Sequence, residues 1–170
     1  CRMKGKVKIK EVKHVTKSDR AIDLTGFQMQ DELNPKIWDE NQKMEPEVRK
    51  TLLKIADDYF EGLELPGVDI EDITMTGSLA NFNWSQYSDV DLHIVIDHSE
   101  VPVDPSLVED FLKTKSTAWN DSHDIKIYGF DIEIYVQDMN EEHVSTGVYS
   151  VLRNEWVIHP EKKPIKIDDK

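Results

Sequence analysis

The stretch "GSLANFNWSQYSDVDLHIVID", Gly77 to Asp97, sets two aspartates one residue apart at the head of an apolar run. Alternate residues of a strand point the same way, ~6.6 Å apart. Asp89 and Asp91 are therefore expected on one face, with Val90, Leu92, Ile94 and Ile96 on the other, against a core. Two anions so close repel each other unless a cation lies between them. Oxygen-only, carboxylate-rich sets suit Mg²⁺ or Mn²⁺, and paired ions ~3.5–4 Å apart serve phosphoryl transfer. Gly77 and Ser78 follow a short strand, expected at Ile73 to Thr76, and precede a helical turn expected from Leu79. A helix start offers free N–H groups and a favourable dipole to anions. Gly77 lets the backbone come close, and the Ser78 hydroxyl can bond a phosphate oxygen. A phosphate cradle beside a metal cage is what nucleotide chemistry requires.

Working outward, Pro46 suits a first helical position, and Val48, Leu52, Ile55, Ala56, Tyr59, Phe60 and Leu63 form one apolar face, with Gly62 placed to end the helix. Asp104 and Pro105 read as the cap and first turn of a second helix carrying Leu107, Val108, Phe111 and Leu112. "IKIYGFDIEIYV", Ile125 to Val136, alternates on both sides of Tyr128-Gly129, the pattern of a hairpin or a kinked strand. A short helix is expected within Ser145 to Leu152 and a last strand at "EWVIHP". Before the first helix, "KVKIKEVKHV" reads as an edge strand with lysines on its wet face. Residues 18–42 read as irregular, and those from about 161 as a mobile tail. The expectation is a single domain over 1–170, of class α/β (α+β), with helices packed on a mixed sheet.

The chain has 170 residues, enough for one domain with a sizeable core. A hydrophobic fraction of 38% and a mean hydropathy of -0.57 suit a soluble protein, and no run approaches a membrane span. The basic opening "CRMKGKVKIK" lacks the apolar segment of a secretory leader. With a single cysteine, Cys1, a reducing, cytoplasmic setting is the expectation. The net charge of -13 argues against a general nucleic-acid binder, though a local basic patch can still hold a phosphate.

"TGSLANFNWSQYSDVDLHIV" resembles the signature of the polymerase-β-type nucleotidyltransferases: a strand, Gly-Ser, a spacer, then Asp-x-Asp in a second strand. The resemblance covers about Ile73 to Ile96. It implies a mixed-sheet palm, two divalent metals, and transfer of a nucleoside monophosphate from an NTP to a hydroxyl with loss of pyrophosphate. By it, Gly77 and Ser78 would hold the triphosphate, and Asp89 and Asp91 would ligate metal. A third carboxylate is implied on a neighbouring strand. "GFDIEIYVQD" offers Asp131 and Glu133 on one face, and Glu133, deeper in the strand, is preferred as the catalytic one. "EIYVQ" is also faintly similar to the acidic strand of pyrophosphate-transferring alarmone synthetases. Phrases such as "LNPKIWDENQKMEPEVRK" are loosely similar to phage-encoded nucleotidyltransferases, which names no acceptor.

Plainer readings stand beside these. An Asp-x-Asp on a strand is often only solvated charge, and metal-dependent glycosyltransferases use one too, though without the upstream Gly-Ser. A non-catalytic nucleotide-binding or protein-interaction module could keep the same fold. His93 reads as a half-exposed neighbour of Asp91 rather than a ligand, since magnesium-type sites prefer oxygen. Phe82, Trp84 and Tyr87 read as plugs beneath a turn before base-stacking groups. Lys126 and Arg153 are given surface roles, and Ser145-Thr146-Gly147 no chemistry.

Overall fold

The computed structural model describes residues 29–142 and 146–162. The basic strand expected near Val7 and Ile9 lies outside these residues, as does most of the expected tail. Two helices and a six-stranded mixed sheet carry the described chain. Helix α1 is Pro46–Leu63, and β1 is Asp72–Thr76. Strand β2 is Val90–Ile96, and α2 is Val108–Ser122. The hairpin strands β3 and β4 are Lys126–Ile127 and Phe130–Asp138. The chain closes with β5, Val148–Ser150, and β6, Glu155–Ile158. The sheet runs β3-β4-β2-β1-β5-β6, with β2 and β4 parallel and every other pair antiparallel.

Period-2 patterning sorts the two faces. Val90, Leu92, Ile94 and Ile96 of β2 are buried beside Ile132 and Ile134 of β4 and Ile73 and Met75 of β1. Helix α1 contacts β2, and α2 contacts β4. The helices also meet each other, where the Tyr59 hydroxyl lies 3.1 Å from Ser116 Oγ and the Tyr59 ring packs on Trp119. Beyond the short β3, the free edge of β4 is satisfied from α2. Asn120 donates Nδ2 to Ile134 O (3.1 Å), and its Oδ1 accepts the Ile134 N–H (2.9 Å). A side-chain amide thus stands in for a missing strand partner.

Several sequence expectations need correction. Gly62 does not end α1: the helix continues to Leu63, and Glu64 takes the left-handed cap at φ 54°. Asp104 caps a 3-10 turn, Pro105–Leu107, ahead of α2, and Leu107 points to solvent. Among the described residues of the expected short helix, 146–152, there is none. Val148–Ser150 is a strand wedged between β1 and β6, so pairing with its neighbours outweighs the weak helical pattern. Tyr128-Gly129 is a two-residue hairpin turn, both residues at positive φ, as the alternation implies. Among the described residues, no helix is long and apolar enough to cross a membrane.

Trp38, in the irregular lead-in to α1, ties the fold to its central turn. Its indole N–H donates to Leu79 O at 2.7 Å, and its ring stacks on Trp156 and meets Tyr149 edge-on. Trp38→Phe keeps the aromatic packing and strands a buried carbonyl. The expected loss is about 1–3 kcal/mol in denaturant-unfolding free energy, and an unchanged midpoint would contradict this buttress.

Candidate active site

The acidic residues gather where β2 and β4 begin. The parallel register sets Asp91 level with Glu133, and Val90 with Ile132. Level residues on neighbouring strands project to the same face, so two carboxylates stand side by side. Asp89 immediately precedes β2 instead of lying within it. The strand spacing expected for the Asp-x-Asp pair therefore holds only for Asp91 and the residues after it. Even so, Asp89 acts on Asp91: burial first, then the charge of Glu133, then that of Asp89, push the Asp91 carboxyl up to about 7.

Gly77 stands against Asp91 from the other side. Thr76, its neighbour, pairs with Asp91 across β1 and β2. Gly77 has φ 84° and ψ -171°, a conformation open to glycine but not to residues with a Cβ. A Cβ placed there would overlap Asp91 Oδ2. The Gly77 backbone thus abuts the Asp91 carboxylate, whereas the sequence pattern led to the expectation of an approach to phosphate.

The helix expected from Leu79 is one 3-10 turn, Ser78–Ala80, too short to carry a macrodipole. Its Ala80 and Asn81 N–H groups are spent on Gly77 O and Ser78 O. Ser78 remains near the cluster through its hydroxyl, which donates to Ser88 Oγ at 2.6 Å, one residue before Asp89. Ser88 Oγ also accepts the Ser85 N–H. The turn is thus held by hydroxyls and a glycine backbone, with no helix dipole behind it.

Asp131 separates from Glu133. Lys126, its register partner on β3, donates to Asp131 Oδ1 at 2.5 Å, with Asp124 3.7 Å from the same ammonium. Glu133 instead accepts the Tyr135 hydroxyl at 2.6 Å. Among the described residues, no three His, Cys, Asp or Glu side chains close up on a point where an ion would sit. What is assembled is the Asp91–Glu133 pair with Asp89 beside it. Its donors are all oxygen, a set that suits a hard divalent cation.

His93 shares the face of Asp91 but lies 3.1 Å from Thr76 Oγ1 through Nε2, a neighbour as expected. Of the loop aromatics, Phe82 is buried and the Trp84 indole donates to Glu32 O, while Tyr87 is 59% exposed and plugs nothing. Arg153 is structural: it pairs with Asp72 at 3.1 Å, which also accepts Ser150 Oγ at 2.7 Å. Sequence reasoning missed three supports of the Gly-Ser turn. Asn81 donates to Gly77 O, Thr146 donates to Asn81 Oδ1, and Gly147 packs where a Cβ would strike Ala80 O. Only the unexplained "STG" hinted at them. Compared with protein-family models, with curated proteins and with solved structures, the chain matches none.

Two outcomes follow from this geometry. Gly77→Ala meets both a forbidden backbone region and the Asp91 carboxylate, so a stability loss of about 1–3 kcal/mol or more is expected on denaturant unfolding. The second outcome concerns pH. Asp91 binds its proton more tightly folded than unfolded, where its value is 3.8, so its ionisation weakens the fold as pH rises from 3.8 to about 7. Asp91→Asn removes that penalty. In EDTA its melting advantage over the parent should be absent near pH 3.8, grow towards pH 7 by at most about 1.4 kcal/mol per unit, and then level off. A difference independent of pH would refute the assignment.

Proposed function

We propose that the protein is a divalent-metal-dependent nucleotidyltransferase, its mixed sheet serving as a polymerase-β-type palm. One observation carries the reading: Asp91 stands level with Glu133 on parallel strands while the Gly77 backbone abuts its carboxylate. An isolated surface Asp-x-Asp has no cause to be half-buried against a second carboxylate. Mg²⁺ or Mn²⁺, bound together with a nucleoside triphosphate, would supply positive charge between these carboxylates. Asp89, Asp91 and Glu133 are the residues that would hold the metal, and Asp131, already neutralised by Lys126, is left out. When bound, the metal screens the triphosphate charge and lowers the pKa of the attacking hydroxyl.

The remaining chemistry falls to the chain's own groups. Ser78, whose hydroxyl is now given to Ser88, turns to a phosphate oxygen, and the Gly77 backbone lets the triphosphate lie close. The acceptor hydroxyl oxygen bonds to the α-phosphorus as the bond to the β-phosphate's bridging oxygen breaks, so pyrophosphate leaves with the electron pair. Glu133 takes the hydroxyl proton. The net charge of -13 favours a small-molecule or protein hydroxyl over a nucleic-acid strand.

The test is incubation with α-labelled NTPs, Mg²⁺ or Mn²⁺, and a panel of hydroxyl acceptors. A labelled NMP adduct with stoichiometric pyrophosphate is expected. The Asp89→Asn/Asp91→Asn double variant should lose activity at least ~100-fold, the scale of losing one electrostatic stabiliser. An active double variant would end the proposal, and AMP in place of pyrophosphate would redirect it to pyrophosphate transfer.

A further inference from the structure

The polar face of the sheet carries a second row of side chains, one pleat beyond the acidic residues. His93 and Tyr135 are register partners on β2 and β4, two residues past Asp91 and Glu133. Their rings lie 5.4 Å apart, tilted by 36°. His93 is anchored in turn to Thr76 Oγ1, adjacent to Gly77. Tyr135 is 38% exposed, so its ring adds little to the core. Its hydroxyl reaches back along its own strand and donates to Glu133 Oε1. A carboxylate beside Asp91 is pushed away by its neighbour's charge, and a short hydrogen bond from a fixed phenol opposes that swing.

We propose that Tyr135 is a positioning residue that, through its hydroxyl, fixes Glu133 in the orientation from which it meets metal and acceptor. The row Thr76–His93–Tyr135–Glu133 spans β1, β2 and β4, so it couples the strand before the Gly-Ser turn to the third carboxylate. The role rests on the nucleotidyltransferase reading, because Glu133 needs a fixed orientation only if it acts on a bound group. It assigns a function to an exposed tyrosine that otherwise reads as an ordinary strand residue.

The experiment is Mn²⁺ titration of the nucleotide-free protein, followed by electron paramagnetic resonance, for the parent, Tyr135→Phe and Tyr87→Phe. Tyr135→Phe keeps the ring against His93 and removes only the donor. Its Mn²⁺ affinity should fall about tenfold to a hundredfold, as when an outer partner of a metal ligand is lost, with an unchanged melting temperature. Tyr87→Phe, a control at an exposed loop tyrosine, should bind as the parent does. In turnover, Tyr135→Phe should lower kcat and leave the nucleotide KM unchanged. Parent protein that binds Mn²⁺ while Tyr135→Phe binds equally well would overturn the role of Tyr135 alone. A fall in melting temperature without a fall in affinity would make it a purely structural residue and overturn the role too. A parent that binds no Mn²⁺, either alone or with a non-hydrolysable NTP, would overturn the transferase reading, and the role with it.

Discussion

The parallel pairing of β2 with β4 is the constraint on which the site depends. It brings Asp91 level with Glu133 and so creates an electrostatic penalty inside the sheet. The pairing is held from the opposite face. Leu92 and Ile94 on β2 stand level with Ile134 and Val136 on β4, and all but Val136 are fully buried or nearly so. A slip of one residue would turn those side chains to the polar face and carry the carboxylates into the core. Hydrophobic burial therefore sets the register, and the register sets the repulsion. The two act on opposite faces of the same strands.

Contacts between distant parts of the chain keep the turn against this pair. Trp38 reaches Leu79 across 41 residues, and Gly147 and Thr146 lean on Ala80 and Asn81 from the start of β5. At the far end of β1, Asp72 gathers the Ser150 hydroxyl, the Arg153 guanidinium and the Ile73 N–H, which secures the β5–β6 hairpin. The site is thus framed by side chains with no chemistry of their own, and a rigid frame is what a preorganised cluster of like charges requires.

Much of the architecture was legible in local patterns. Pro46 and the apolar face through Tyr59 marked α1, and the alternation around Tyr128-Gly129 marked the β3–β4 hairpin. The misses share a cause. Gly62 looked like a helix stop because glycine tolerates a left-handed cap, but Leu63 finds a core partner and carries the helix one residue further. Val148 to Ser150 became a strand because the open edge of β1 accepted it, a long-range choice that local propensity does not record. Asp131 and Glu133 share a face, and depth in the strand favoured Glu133, but the pairing of Asp131 with Lys126 across β3 and β4 is not readable from that pattern.

By itself the sequence determined the alternation of β2, the amphipathic helices, and the placing of Gly77 and Ser78 a fixed distance before two aspartates. These are short-range facts, written in side-chain period and in the freedom of one glycine. Only the tertiary structure decided which carboxylates meet. Strand pairing assigned Glu133 to Asp91 and Asp131 to Lys126, and it folded Tyr135 and His93 into one row with Thr76. The reason is that register between strands dozens of residues apart is set by the buried faces they share, and no single strand carries that information alone.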